Sequence, residues 1–154
     1  MDYKNFFATR NISYYARLDY IALLALCGML AYEHRAHMDW LVFFIAIAWQ
    51  DAIGYYPAAL VYYLQPGNAP RRIPVGFYYL YNLIHGVLLN LAVVLVWMRL
   101  ANGWQWEMLA IPIHLCIDRG VFGLSYKSRK ISFVPVEHKL HAEFRKRMEH
   151  AGNW

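Results

Sequence analysis

The sequence predicts an all-α protein: a bundle of four transmembrane helices with a C-terminal amphipathic surface helix. Three observations point there. The chain is 60% hydrophobic and only 16% charged, whereas roughly a quarter of the residues of a soluble domain are charged. Ile73 to Met98 carries no charge and is interrupted only by His85, and it exceeds the roughly 20 apolar residues that cross a hydrocarbon core. Lys and Arg gather at alternate ends of the apolar stretches, the bias that orients membrane helices.

Residues 1–12 read as a cytoplasmic N-terminal arm. The start MDYKNFF is acidic and aromatic, unlike a basic segment before a short apolar run, so no cleavable signal peptide is expected. The transmembrane domain covers residues 13–126. Its first span is Ser13 to Tyr32, with Arg17 and Asp19 at the inner end. Arginine can snorkel outward, while the shorter aspartate reaches less far. Trp40 to Leu64 is the second span and holds Asp51. LQPGNAPRRIP is dense in Pro and Gly, which forces a loop and starts the third span, Ile73 to Met98, near Pro74. The Ala101 to Gly103 turn then leads to Trp104 and Trp106, residues suited to the membrane interface, which open a fourth span ending at Tyr126.

Lys4, Arg10, Arg17, Arg71, Arg72, Arg119, Lys127, Arg129 and Lys130 fall on one side, against Arg35 and Arg99 on the other. The expected localisation is therefore an inner (cytoplasmic) membrane, multi-pass, with both termini cytoplasmic. Residues 127–154 form a basic cytoplasmic tail. Within it Val136, Leu140, Phe144 and Met148 recur every fourth position, one narrow apolar stripe on a charged helix. That helix lies on the membrane surface, or packs on the end of the bundle or on a partner.

The formal charge of +5 does not indicate nucleic acid, because the basic residues border the spans and lack any nucleic-acid-binding pattern. Anionic head groups of membrane lipids account for them better. Cys27 and Cys116 both fall at membrane depth, so no disulfide framework is expected.

The stretch HLCIDRG, His114 to Gly120, places ionisable side chains inside the fourth span. Antiparallel helices bring it level with Asp51 and His85 near the midplane. Asn82 and His85 are three residues apart, and Asp51 and Tyr55, like His114 and Asp118, are four apart, so each pair shares a helix face. Asp19 and Arg119 are candidates to join from the cytoplasmic half. A charge at the bilayer centre costs at least about 2.5 to 3.5 kcal/mol, so several such groups are expected to face one another instead of lipid.

Imidazole nitrogen and carboxylate oxygen are ligands for zinc or non-haem iron, which makes Asp51, His85, His114 and Asp118 candidate metal ligands or acid/base groups. Tyr55 and Asn82 are candidate substrate contacts, and Arg119 a candidate anion clamp. The expected function is a membrane-embedded enzyme, metal-dependent in one version, acting on a lipid-like or hydrophobic small molecule. The alternative is a non-enzymatic subunit of a larger membrane complex, or one that pairs with its own copy, whose polar cluster only holds helices together. A third version places haem between His85 and His114 as axial ligands, opposed by the two nearby aspartates. EHRAH (Glu33 to His37) and EHKLH (Glu137 to His141) lie on opposite sides of the membrane and read as solvated surface.

The combination of RLD (Arg17 to Asp19), Asp51 with Tyr55, YNLIH (Tyr81 to His85) and HLCIDRGVFGLSYK (His114 to Lys127) resembles a family of small four-helix bacterial integral membrane proteins catalogued as a domain of unknown function. Gln50 stands where that pattern has Pro, and Phe122 where it has Tyr. Neither departure removes a candidate ligand. The resemblance implies the architecture and the residue set, and it carries no reaction with it.

Overall fold

In the computed structural model, described over residues 10–67, 71–129, 132–134 and 139–151, every regular element is helical. The first helix, α1 (Arg10–Glu33), is continuous because no proline interrupts it, and Ser13–Glu33 is long and apolar enough to cross a membrane. Its C-terminal end is closed when Arg35 donates to the Tyr32 carbonyl. Asp39 caps α2 (Trp40–Gly54), its carboxylate accepting from the backbone N–H groups of Leu41 and Val42, which otherwise have no partner at a helix start.

The expected second span is two helices, α2 and α3 (Tyr56–Leu64), bent by 41°. Pro57, in the first turn of α3, has no N–H to give to the Ile53 carbonyl, which is sufficient reason for the bend. The expected third span is likewise two helices, α4 (Val75–Ile84) and α5 (Val87–Leu100), bent by 54° at His85 and Gly86. Each bent pair reaches spanning length only when its two helices are taken together.

The fourth span departs furthest from expectation. A 3₁₀ turn at Trp106–Leu109 runs into α6 (Ala110–Cys116), which passes into a π-helical turn at Ile117–Val121. Beyond Gly123, at φ +68°, the chain carries no helix through Ser128. Nearly every residue from Glu107 to Gly120 is buried. The π-helical turn carries Asp118 and Arg119, which hydrocarbon would not solvate, and α1 and α2 pack against the short helix that leads into it. Gly120 permits the close approach: a Cβ there would lie 3.1 Å from the backbone nitrogen of Ile21.

Apolar packing is divided between the two ends. One cluster joins Ala31, Met38, Phe43, Ala46, Leu109 and Ile113; the other joins Ala58, Tyr62, Ile73, Tyr78, Tyr81 and Phe133. Along α2 and α3 the order Ala46, Asp51, Ala58 places the polar residues between them. Leu23, Leu26, Phe44, Ile45, Leu88, Leu91 and Leu95 are all exposed. An apolar outside around a polar inside is the arrangement a bilayer demands.

The last helix, α7 (Lys139–Ala151), carries Leu140 and Phe144 exposed. Val136 and the side chain of Met148, which complete the expected stripe, lie outside the described residues, as does most of the N-terminal arm.

Candidate metal centre

Asp51, His85 and His114, from three separate helical segments, present ligand atoms that all lie within 4.8 Å of one another. Asp118 stands one turn beyond His114 and reaches the same two rings. From His85 Nε2 the distances are 3.4 Å to Asp51 Oδ1 and 3.6 Å to Asp118 Oδ2; from His114 Nε2 they are 3.9 and 3.7 Å. Four ligands about 2.0 to 2.2 Å from a tetrahedral ion stand roughly 3.3 to 3.6 Å apart. The observed separations are near that spacing and longer than a strong hydrogen bond, and Asp51, His85 and His114 are close enough together to hold a metal ion.

The nitrogens are prepared for such a role. His85 Nδ1 lies 3.0 Å from the Tyr81 carbonyl, an acceptor only, so Nδ1 can donate there while Nε2 is turned to the carboxylates, with Asp51 Oδ1 at 3.4 Å. The Tyr81 ring stacks on the imidazole, centroids 4.0 Å apart. His114 Nε2 is buried and, among the described residues, has no hydrogen-bond partner. A buried polar atom left so costs about 1 to 3 kcal/mol, and an ion between the rings would supply what it lacks. Side-chain exposure is 5% for His85, 9% for His114 and 11% for Asp118, against 33% for Asp51. Asp51 is thus the most exposed of the four.

The break between α4 and α5 aims His85. It leaves backbone carbonyls without their helical donors, and where buried each would cost about 1 to 3 kcal/mol. Asn90 Nδ2 donates to the carbonyls of Ile84 at 2.7 Å and Gly86 at 2.9 Å. Arg119 donates to the His85 carbonyl at 3.0 Å. Gln50 Nε2 holds Asn90 Oδ1 at 2.8 Å, tying the break to the residue beside Asp51. Gly54 completes the fit, since a Cβ there would come within 3.0 Å of the His85 ring.

No family model, curated protein or solved structure matches the chain. The assignment therefore rests on the geometry.

Of the residues picked out in the sequence, the structure brings Asp51, His85, His114 and Asp118 together. The others have different tasks. Asn82 clasps the backbone of Lys127, accepting from its N–H at 2.7 Å and donating to its carbonyl at 2.9 Å. Arg119 spends its terminal nitrogens on the His85 carbonyl and the hydroxyls of Tyr20 and Tyr126, at 2.9 Å for Tyr20, and so braces the backbone of a candidate ligand. Tyr55 stacks on Phe133, as a wall. Asp19 is exposed, and the neighbouring Tyr20 makes the contact expected of it. Arg17, expected among lipid head groups, donates to the carbonyls of Gly120 and Val121.

Sequence reasoning missed Tyr81, Asn90, Gln50, Gly54 and Lys127 as parts of the site. Asn90 was within reach, as the one amide in an otherwise apolar run after His85. Lys127 closes the SYK of the longer motif. Burial pushes its ammonium below the ordinary lysine range, while the carboxylates of Asp118 and Asp51 pull it back up.

Proposed function

We propose that the protein is a membrane-embedded, metal-dependent enzyme that acts on a lipid-like or otherwise hydrophobic small molecule. One observation carries the reading: two imidazole nitrogens and the Asp51 carboxylate, from segments far apart in sequence, meet close enough to hold a metal ion, with one nitrogen orphaned and Asp118 beside both rings. In this reading α1 and the two bent pairs cross an inner membrane several times, and α6 is the fourth member of the bundle, held inside it. The resemblance to small bacterial four-helix proteins agrees with that arrangement.

Asp51, His85 and His114 hold the ion, and Asp118 is the fourth ligand or the acid/base group beside it. Zinc would supply a water acidified towards pH 7 for hydrolysis, whereas iron would allow oxidation. Tyr81 fixes the His85 tautomer. The exposed flank of Asp51 admits the substrate, and the buried flanks of the two histidines exclude bulk water. Haem fits poorly, because the His85 and His114 rings lie only 5.5 Å apart and the carboxylates span the gap a macrocycle would need.

The reading without catalysis, a polar cluster that only joins helices, has one observation in its favour: Arg119 and Lys127 together match the charge of Asp51 and Asp118. Elemental analysis of the full chain purified in mild detergent separates the two. About one equivalent of a transition metal is expected, falling below about a tenth in His85→Ala and His114→Ala while helical circular dichroism persists. Less than about a tenth in the unaltered protein, after expression in metal-supplemented medium, overturns the proposal.

A further inference from the structure

Lys127 lies in a stretch whose neighbours Tyr126, Ser128 and Arg129 are exposed, so solvent is within reach of a long flexible amine. Its side chain turns inward instead. The ammonium donates to the Phe133 carbonyl at 2.9 Å and sits 4.6 Å from the Tyr81 ring centroid, 4.7 Å from that of Phe133 and 5.5 Å from that of Tyr55. Tyr81 is the ring stacked on His85. The two hydrogen bonds from Asn82, one turn before His85 on α4, lock the Lys127 backbone in this register. A three-ring cage thus holds a cation beside the candidate metal centre.

Charge balance says what that cation faces. By formal count the carboxylates of Asp51 and Asp118, which pair directly with the two histidine rings, are offset by the charges of Arg119 and Lys127. A divalent ion between the histidines therefore leaves its full charge uncompensated in a low-dielectric interior, which is costly unless an anion joins it. Arg119 has its terminal nitrogens engaged, which leaves Lys127 as the cation able to share an anionic ligand with the ion. The surface around α3 and α4 is apolar, with Tyr56, Leu60, Tyr79 and Leu83 exposed, suited to a hydrocarbon tail.

We propose that the ligand of this centre is an amphiphile with a phosphate head group, its oxygens shared between the ion held by Asp51, His85 and His114 and the Lys127 ammonium in its Tyr55, Tyr81 and Phe133 cage. The proposal deepens the metal reading and rests on it. A phosphate dianion balances the divalent charge, and its tail stays in the bilayer.

Isothermal titration of the full chain, metal-loaded and in neutral maltoside detergent, with dodecyl phosphate and with inorganic phosphate, tests it. Dodecyl phosphate is expected to bind at least about ten-fold more tightly than inorganic phosphate. Lys127→Met is expected to weaken it about ten-fold or more, and Lys127→Arg to keep it within about three-fold. Should Lys127→Met misfold, Lys127→Gln is read by the same criterion. Inorganic phosphate binding equally well overturns the amphiphile. A metal-loaded protein whose affinity for dodecyl phosphate ignores both neutral variants overturns the proposal while the metal reading stands. Unaltered protein that holds no metal overturns that reading, and the charge argument with it.

Discussion

The two bent helix pairs, α2 with α3 and α4 with α5, turn through similar angles, 41° and 54°, and are held in different ways. At the first bend the helical ladder nearly continues: Tyr55 N–H donates to Asp51 and Ala59 N–H to Tyr55. Its cause lies in the covalent chain, at Pro57. At the second bend no proline is present, and the ladder opens around His85 and Gly86. The exposed carbonyls are met by Asn90, by Arg119 from the π-helical turn after α6 and, through Asn90, by Gln50 from α2. A proline bend shapes a helix cheaply, whereas a break held by distant side chains exists only in the folded molecule. The candidate ligand sits at the second kind.

That difference predicts unequal sensitivity. Asn90→Leu should have the largest effect, because it leaves the buried Ile84 carbonyl unmet and takes from Gln50 Nε2 its 2.8 Å acceptor, about 1 to 3 kcal/mol each. A loss of about 3 to 5 kcal/mol in detergent unfolding, with metal content reduced, is expected. Arg119→Met should follow at about 2 to 3 kcal/mol, since the His85 carbonyl and the Tyr20 hydroxyl lose a charged donor. Near-neutral results for both would mean that the break stands without these side chains.

Much of the centre was legible because a polar residue in an apolar run is legible. A charge in an apolar run has few places to go, and Asp51, His85, His114 and Asp118 were found by that rule. Asn82 and Arg119 were picked out on the same grounds, but the backbone groups they hold were not foreseen, because position on a helix face shows which way a side chain points and not which backbone group waits for it. The bend in the third apolar stretch was hidden for a related reason: its support comes from Gln50 and Arg119, 40 residues or fewer along the chain but on other helices. The short, buried α6 was hidden by its aromatic and aliphatic flanks, which read as a full span by composition alone.

Gly54 sharpens the comparison from the other side, because it belongs to α2 yet touches the second bend. Gly54→Ala would press a methyl group to 3.0 Å from His85 Cε1, so the ring must shift. Overpacking of this kind costs about 1 to 3 kcal/mol. The clearer readout is metal affinity, expected to fall more than stability alone accounts for, because a ligand moved by a few tenths of an ångström no longer meets its partners. Unchanged affinity together with lowered stability would show that His85 is not held in place by α2.

The smallest effect is expected at the first bend. Pro57→Ala restores an N–H that can reach the Ile53 carbonyl, and at the first turn of α3 it removes a residue that helices tolerate well. Nothing then forces the 41° turn, yet α3 has other reasons to stay where it is. Ala58 and Tyr62 are buried against Tyr78, Tyr81 and Phe133, and Arg71 donates to the carbonyls of Tyr62 and Tyr63 at its far end. Straightening the pair would pull these contacts apart for the gain of a single hydrogen bond, worth about 1 kcal/mol net. The bend should therefore persist, with unfolding free energy within about 1 kcal/mol of the unaltered protein and metal content unchanged. A loss near that of Asn90→Leu would show that the proline bend also belongs to the site, aiming Asp51 as the second break aims His85.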